Sequence, residues 1–253
     1  MAISDEIKQQ TDKFKDMTKE QKRDYIWTYY KWWIIGAVAG VIIIISLIRT
    51  IIENSKPLYL QMIFLNSDYG SGPVEASLED DFAVAVNVDR EKENIIADYS
   101  CTLTNEFTNQ AAMAGQTKLL SLYKAEEVDI VCGPEAVMTD AADIGGYMNF
   151  SELFTKEELA ELEAKGYEFF VYTEKIYDEE ADFDSDGKRP YTDGESYIAG
   201  IYIDKCDALI NKYGVYSESV FKIGEAYGRY VLMVGINTPR ADHAKEFIKF
   251  ITE

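Results

Sequence analysis

The densest run of chemistry-bearing residues is Asp182-Phe-Asp184-Ser-Asp186-Gly187, with Asp193 eleven positions after Asp182. Carboxylates at alternating positions can converge on one hard cation, and a glycine in sixth place lets the loop turn sharply; this is the spacing of a calcium loop. The final Asp reaches less far than the usual Glu. Lys188, Arg189 and Pro190 occupy the second half, where an apolar residue is expected at position 8. Asp182, Asp184, Asp186 and Asp193 are therefore a candidate calcium set, with a solvated acidic loop as the competing reading. No other cofactor is expected.

Other chemistry is sparser. His243 is the single histidine, so any Ser-His-Asp or Cys-His system would have to use it. No G-x-S-x-G surrounds a serine. His243 stands beside Asp242 and Lys245 and is expected on a wet face of the last helix. Glu126-Glu127, Glu157-Glu158 and Glu179-Glu180 read as solvated faces in a chain with 45 acids. There is no P-loop and no G-x-G-x-x-G. Cys101, Cys132 and Cys206 are widely spaced, without a CxxC pair, which argues against zinc. Cys132 lies in an apolar strand and reads as a buried thiol, and one disulfide stays open as an alternative in an oxidising compartment. No catalytic residue is assigned, and the chain is not read as an enzyme.

The segment that decides where these residues work is Trp32–Ile48, WWIIGAVAGVIIIISLI, which has no charge and is closed by Arg49. With Thr50, Ile51 and Ile52 it reaches the roughly 20 residues needed to cross a hydrocarbon core about 30 Å thick. A transmembrane helix is expected over 32–52, with a helical flank over 1–31 and a domain over 57–253. Seven Lys or Arg precede the span, and orientation follows their bias rather than net charge. The flank is thus expected in the cytoplasm and the domain outside. Trp27, Tyr29, Tyr30, Trp32 and Trp33 crowd the inner boundary, at headgroup depth. Arg49, Glu53 and Lys56 follow where a cleaved signal peptide would carry small residues. After Arg49 come 17 basic and 39 acidic residues, a balance that argues against nucleic acid and anionic lipid as partners of the domain.

Periodicity organises the domain. Apolar, β-favouring runs predict strands at 58–66, 94–103, 128–132, 167–172, 197–204 and 230–236. Helices are expected at 74–86, 105–124, 135–143, 155–165, 207–213 and 242–251, and an acidic loop at 178–195. Phe107, Ala111, Ala114, Leu119 and Leu122 are the inward positions of the second helix. Thr18/Gln21 and Thr155/Glu158 have capping-box spacing. Alternation of the two element types predicts an α/β fold with a mixed, partly parallel sheet. Ligands of such sheets sit beyond the strand C-termini, which nominates Asn66, Ser67, Asp68 and Tyr69, then Thr102 and Asn105, then Gly133, Pro134 and Glu135.

The order of segments resembles a known family. "VDIVCGPEAVM" is followed by Gly146, Tyr147, Met148, Asn149, Phe150 and Leu153, and the chain closes on Asn237, Thr238, Ala244, Phe247, Ile248, Phe250 and Ile251. This pattern resembles the type II periplasmic-binding-protein fold of extracytoplasmic solute-binding proteins. It is similar above all to small membrane-anchored proteins of Gram-positive gut bacteria, with a transmembrane helix in place of a lipid. The resemblance implies a compact binding-protein-like domain that takes a small solute, peptide or envelope component, beside an ABC transporter or another membrane protein. The alternative is a ligand-free scaffold that docks a membrane partner.

Overall fold

The computed structural model describes residues 17–70, 74, 76–103, 110–143, 146–178, 189–217, 220 and 228–253. The chain divides into two units, Met1–Lys56 and Pro57–Glu253.

The described part of the first unit is dominated by one helix, α1 (Lys19–Asn54), whose 36 residues extend about 54 Å at 1.5 Å each. Thr18 caps it. Its hydroxyl accepts from the Gln21 N–H while the Gln21 side chain accepts from the Thr18 N–H, closing the expected capping box. Within Tyr30–Glu53 an 18-residue window has a mean hydropathy of 2.5, and none of that window is buried against protein. Trp32 and Trp33 are 74 % and 78 % exposed. In water such a face would be costly. By length and composition this helix can cross a bilayer, and a signal sequence would have the same character.

The second unit is built on a six-stranded mixed sheet. Its strands are β1 (Leu58–Phe64), β2 (Asn94–Asp98), β3 (Ile130–Pro134), β4 (Phe169–Tyr177), β5 (Tyr191–Tyr202) and β6 (Tyr230–Val234), in the order β2-β1-β3-β6-β5-β4. β1 runs parallel to both β2 and β3, whereas β6, β5 and β4 join by antiparallel pairing. Alternate residues of each strand face opposite ways, so the sheet feeds two apolar layers. Leu60, Met62, Phe64, Ile130, Cys132, Leu232 and Val234 pack with α2 (Leu78–Ala85) and the last helix. Ile63, Leu65, Val131, Val231 and Met233 pack on the other side with α3 (Gln110–Lys124) and α4 (Glu135–Asp143).

Two short helices, α5 (Phe150–Leu153) and α6 (Lys156–Ala164), and a π-helical turn at Ala208–Lys212 complete the first layer together with α7 (Ala241–Ile251). α7 turns Ala244, Phe247, Ile248 and Ile251 inward, as their spacing predicts. α6 starts at the expected Thr155/Glu158 box.

Three expectations are corrected. The acidic loop over 178–195 is shorter: Thr192 and Asp193 belong to β5 and pair with Ile176 and Lys175 in a β-hairpin. Backbone pairing and the Tyr177–Tyr191 ring contact carry this hairpin. Ala114 is exposed, because α3 presents Gly115 and Leu119 to the sheet side; a Cβ on Gly115 would stand 2.5 Å from the Thr102 carbonyl. All three cysteines are free and buried, so the disulfide alternative lapses.

Candidate functional site

The strand order 2-1-3 creates a switch point. The chain leaves β1 toward α2 in one layer and leaves β3 toward α4 in the other. A crevice opens where such exits diverge, beyond the carboxyl ends of β1 and β3, and it is where ligands of open α/β sheets bind.

The structure brings Asn66–Tyr69, Thr102 and Gly133–Glu135 to these strand ends. Asn66 takes the left-handed region at φ 54°, which Asn tolerates better than most residues. Its side-chain amide pairs with the Leu103 backbone in both directions, at 2.8 Å each way. This clamp ties the β1 exit to the β2 exit, where exposed Thr102 follows buried Cys101. The Ser67 hydroxyl donates to the Val215 carbonyl and accepts from the Tyr69 N–H. The Asp68 carboxylate accepts from the Ser217 N–H at 2.8 Å. Gly133 lies under Leu65, with room for no side chain; an added Cβ would meet Leu65 carbons at 2.8 and 2.9 Å. Pro134 pairs with Tyr230, and the Glu135 N–H donates to the Arg229 carbonyl.

The residue that sequence reasoning missed is Tyr216. It is fully buried, and its hydroxyl meets the carbonyls of Leu65 and Cys132, each at 3.1 Å. The Leu65 carbonyl follows the end of β1, and the Cys132 carbonyl also accepts the Leu65 N–H in the β1–β3 ladder. Tyr216 therefore sits on the last β1–β3 rung, where the two exits part, its ring edge-on to Phe64 and Tyr230. Burial pushes its phenol well above the ordinary value, so it stays protonated and donates. Val215 and Ser217 on either side are the groups that Ser67 and Asp68 hold. No short motif signals this, because Gly214-Val-Tyr-Ser reads locally as a turn.

An aromatic stack runs outward from there. Phe64, Tyr99 and Tyr69 lie nearly parallel, with centroids 5.5 and 4.1 Å apart. Tyr69, 40 % exposed, forms the outer end. The Tyr99 hydroxyl is buried without a hydrogen-bond partner among the described residues.

At the opposite ends of the central strands lies a buried charge cluster. Asp129 has no exposed surface and receives the Gln61 N–H at 2.7 Å, the Thr238 hydroxyl, and the Arg240 guanidinium at 2.9 Å. Gly146–Met148 adds a short ladder there: Tyr147 bridges Gly235, and Met148 N–H donates to Val234. Asp129, Tyr147, Met148 and Thr238 thus meet in space as a hydrogen-bonding unit. No protein-family model, curated protein or solved structure matches this chain.

The remaining candidates have plain placements. Asn105, Asp182, Asp184 and Asp186 lie outside the described residues. Asp193 stands in β5 opposite Lys175. Among the described residues, no group of three or more His, Cys, Asp or Glu is positioned to share a metal. His243 is half-buried rather than wet: it stacks on Tyr59 at 3.8 Å, and its Nδ1 lies 2.8 Å from the Tyr59 carbonyl oxygen. Burial raises the thiol pKa of Cys101, Cys132 and Cys206, which disfavours the thiolates that a nucleophile or metal ligand would need.

Proposed function

We propose that this chain is a single-pass membrane protein with its amino terminus in the cytoplasm and an acidic binding-protein-like domain outside, and that the domain works as a scaffold docking a membrane partner. The observation that carries the scaffold reading is Tyr216 seated between the ends of β1 and β3. A solute clamp needs an open crevice with convergent polar groups; here Asn66, Ser67 and Asp68 spend their polar atoms on the backbone of residues 103, 215 and 217. The described sheet is also continuous, with both faces covered by apolar layers of one domain. The anchor reading draws support from the 24-residue apolar stretch of α1, and the orientation from the basic residues before it.

The test is purification of the full chain from its native membrane under mild detergent. A stoichiometric membrane protein should accompany it, and replacement of α1 by an unrelated transmembrane helix should leave the domain outside. A chain that comes out alone under every detergent and cross-linking condition would end the scaffold reading.

A second reading has its own observation. The exposed Tyr69 ring, backed by Tyr99, whose hydroxyl has no hydrogen-bond partner among the described residues, would suit a planar or cationic solute. A thermal-shift screen of sugars, amino acids, peptides and metals tests it: a hit that is lost in Tyr69→Ala favours solute binding, and a flat screen removes it.

A further inference from the structure

We propose that the free edge of β4 binds an extended, basic segment of a membrane-tethered partner protein by strand addition; this deepens the scaffold reading and rests on it. β4 is the last strand of the sheet and pairs only with β5 among the described residues. The β4–β5 hairpin runs well beyond the sheet, because β6 pairs with β5 only at Gly200–Tyr202. Exposed edges are templates for another chain, and proteins commonly blunt them with bulges and inward-turned lysines. Here both irregularities fall on the other strand. From Phe170 to Val171, and again from Thr173 to Lys175, β5 advances by one residue more than β4 does. The free edge is thus regular, and the extra residues lie on the paired side. Lys175, the one lysine of the strand, lies over the Tyr191 ring at 5.5 Å, drawn toward its own hairpin.

The exposed side chains of β4 and of its hairpin partner β5 are suited to an interface. Val171, Ile176, Tyr177 and Tyr191 are 57 %, 58 %, 41 % and 51 % exposed. Tyr177 packs on Tyr191 at 5.7 Å, and the hydroxyls of Thr173 and Ser196 meet at 2.8 Å. Exposed tyrosines beside small hydroxylated residues are typical of binding surfaces. Charge selects the occupant. Glu174, Asp178, Asp193 and Glu195 outnumber Lys175 and Arg189 on the described hairpin, and the residues after Arg49 carry 39 acids against 17 bases. A second copy would bring the same excess of negative charge, whereas a basic segment complements it. Size selects a tethered partner. The nine residues of β4 fall far below the 20–30 residues a side of a standard interface. Such a contact is weak between free molecules and gains from two anchors in one membrane, which raise the effective concentration.

The test uses the full chain in nanodiscs and two nine-residue peptides, one alternating lysine with valine or threonine and one with glutamate in place of lysine, read by fluorescence anisotropy. The lysine peptide should bind at least about tenfold more tightly than its twin and weaken in high salt. N-methylation at alternate amides should abolish binding on one edge of the peptide and spare it on the other, because main-chain hydrogen bonds carry strand addition. Val171→Lys with Glu174→Lys should weaken binding by at least about fivefold at unchanged melting temperature. Equal binding of both peptides, indifference to N-methylation, or a Val171-dependent dimer in sedimentation would overturn the proposal. Co-purification of a membrane partner that survives the Val171/Glu174 exchange would sink the β4 assignment alone; absence of any partner would sink the scaffold reading beneath it.

Discussion

Asp129 and Glu158 show how differently two carboxylates can act. Asp129 is wholly buried and holds together Gln61 on β1, Thr238 after β6, and Arg240 at the start of α7. Removing it leaves the Arg240 guanidinium, 16 % exposed, without its counter-charge. Asp129→Ala is expected to cost about 3–5 kcal/mol, read as a fall in the denaturation midpoint, because breaking one side of a buried pair is far costlier than losing a surface pair. Arg240→Ala should cost less, since the aspartate keeps the Gln61 and Thr238 donors. Glu158 sits nearer the surface and bridges Lys245 and Lys249 of α7 while closing the α6 capping box. The Lys245 hydrogen bond first, then Lys249 and the Thr155 N–H, hold its carboxyl down at about 2. A folded value below the unfolded one means that the stabilisation is complete above about pH 5 and is lost as pH falls from 4.5 through 2. Glu158→Gln should flatten that acid limb, by about 1–2 kcal/mol after allowance for solvent screening, while leaving stability above pH 6 lower and nearly level.

At the level of elements, close contacts decide which strands can meet. A Cβ on Gly200 would stand 2.4 Å from the Leu232 carbonyl, so β5 and β6 approach through a position that has no side chain. Gly200→Ala is expected to push the two strands apart and to lower the melting temperature steeply. Gly166→Ala is the informative contrast: its φ of 92° makes alanine strained, but nothing crowds the added carbon, so the loss should stay near about 1 kcal/mol. Periodicity made most elements legible. The α7 face, both capping boxes and the cores of β1, β3 and β6 all follow from local spacing. What escaped were features set by distant partners. Ala114 looked inward on the helical wheel, yet the strand exit at Thr102 selects Gly115. The β4–β5 hairpin was hidden in an acidic stretch, because cross-strand pairing rather than hydrophobicity orders it. At the candidate site, the strand ends at which Asn66–Tyr69 and Gly133–Glu135 gather could be anticipated from topology rules, but Tyr216 could not. Tyr216 lies 151 residues from Leu65 and 84 from Cys132, and only the tertiary fold brings a phenol from there onto the β1–β3 rung.

The whole molecule combines two regions with opposite physics. Tyr30–Glu53 exposes a largely apolar surface along about 36 Å of helix, long enough for a hydrocarbon core about 30 Å thick. The domain from Pro57 onward buries its apolar residues in two layers and leaves an acidic exterior. Full-length chain is accordingly expected to pellet with membranes and to need detergent, whereas residues 57–253 should be monodisperse in buffer. Orientation follows from the cost of moving charge. Lys19, Lys22, Arg23 and Lys31 lie just before the apolar stretch, and few Lys or Arg lie close after it; the proposed topology keeps this positive flank on the cytoplasmic side. Protease applied to intact cells should remove the domain and leave a protected amino-terminal fragment that includes α1. Transferring the bias, with Lys19, Lys22, Arg23 and Lys31 changed to Gln and four lysines placed after Asn54, should reverse the pattern, so that the domain resists digestion until the cells are opened. If the domain is shaved in both versions, the basic flank does not set the orientation; if it is protected in the wild type, the domain faces the cytoplasm, and the extracytoplasmic reading falls with it.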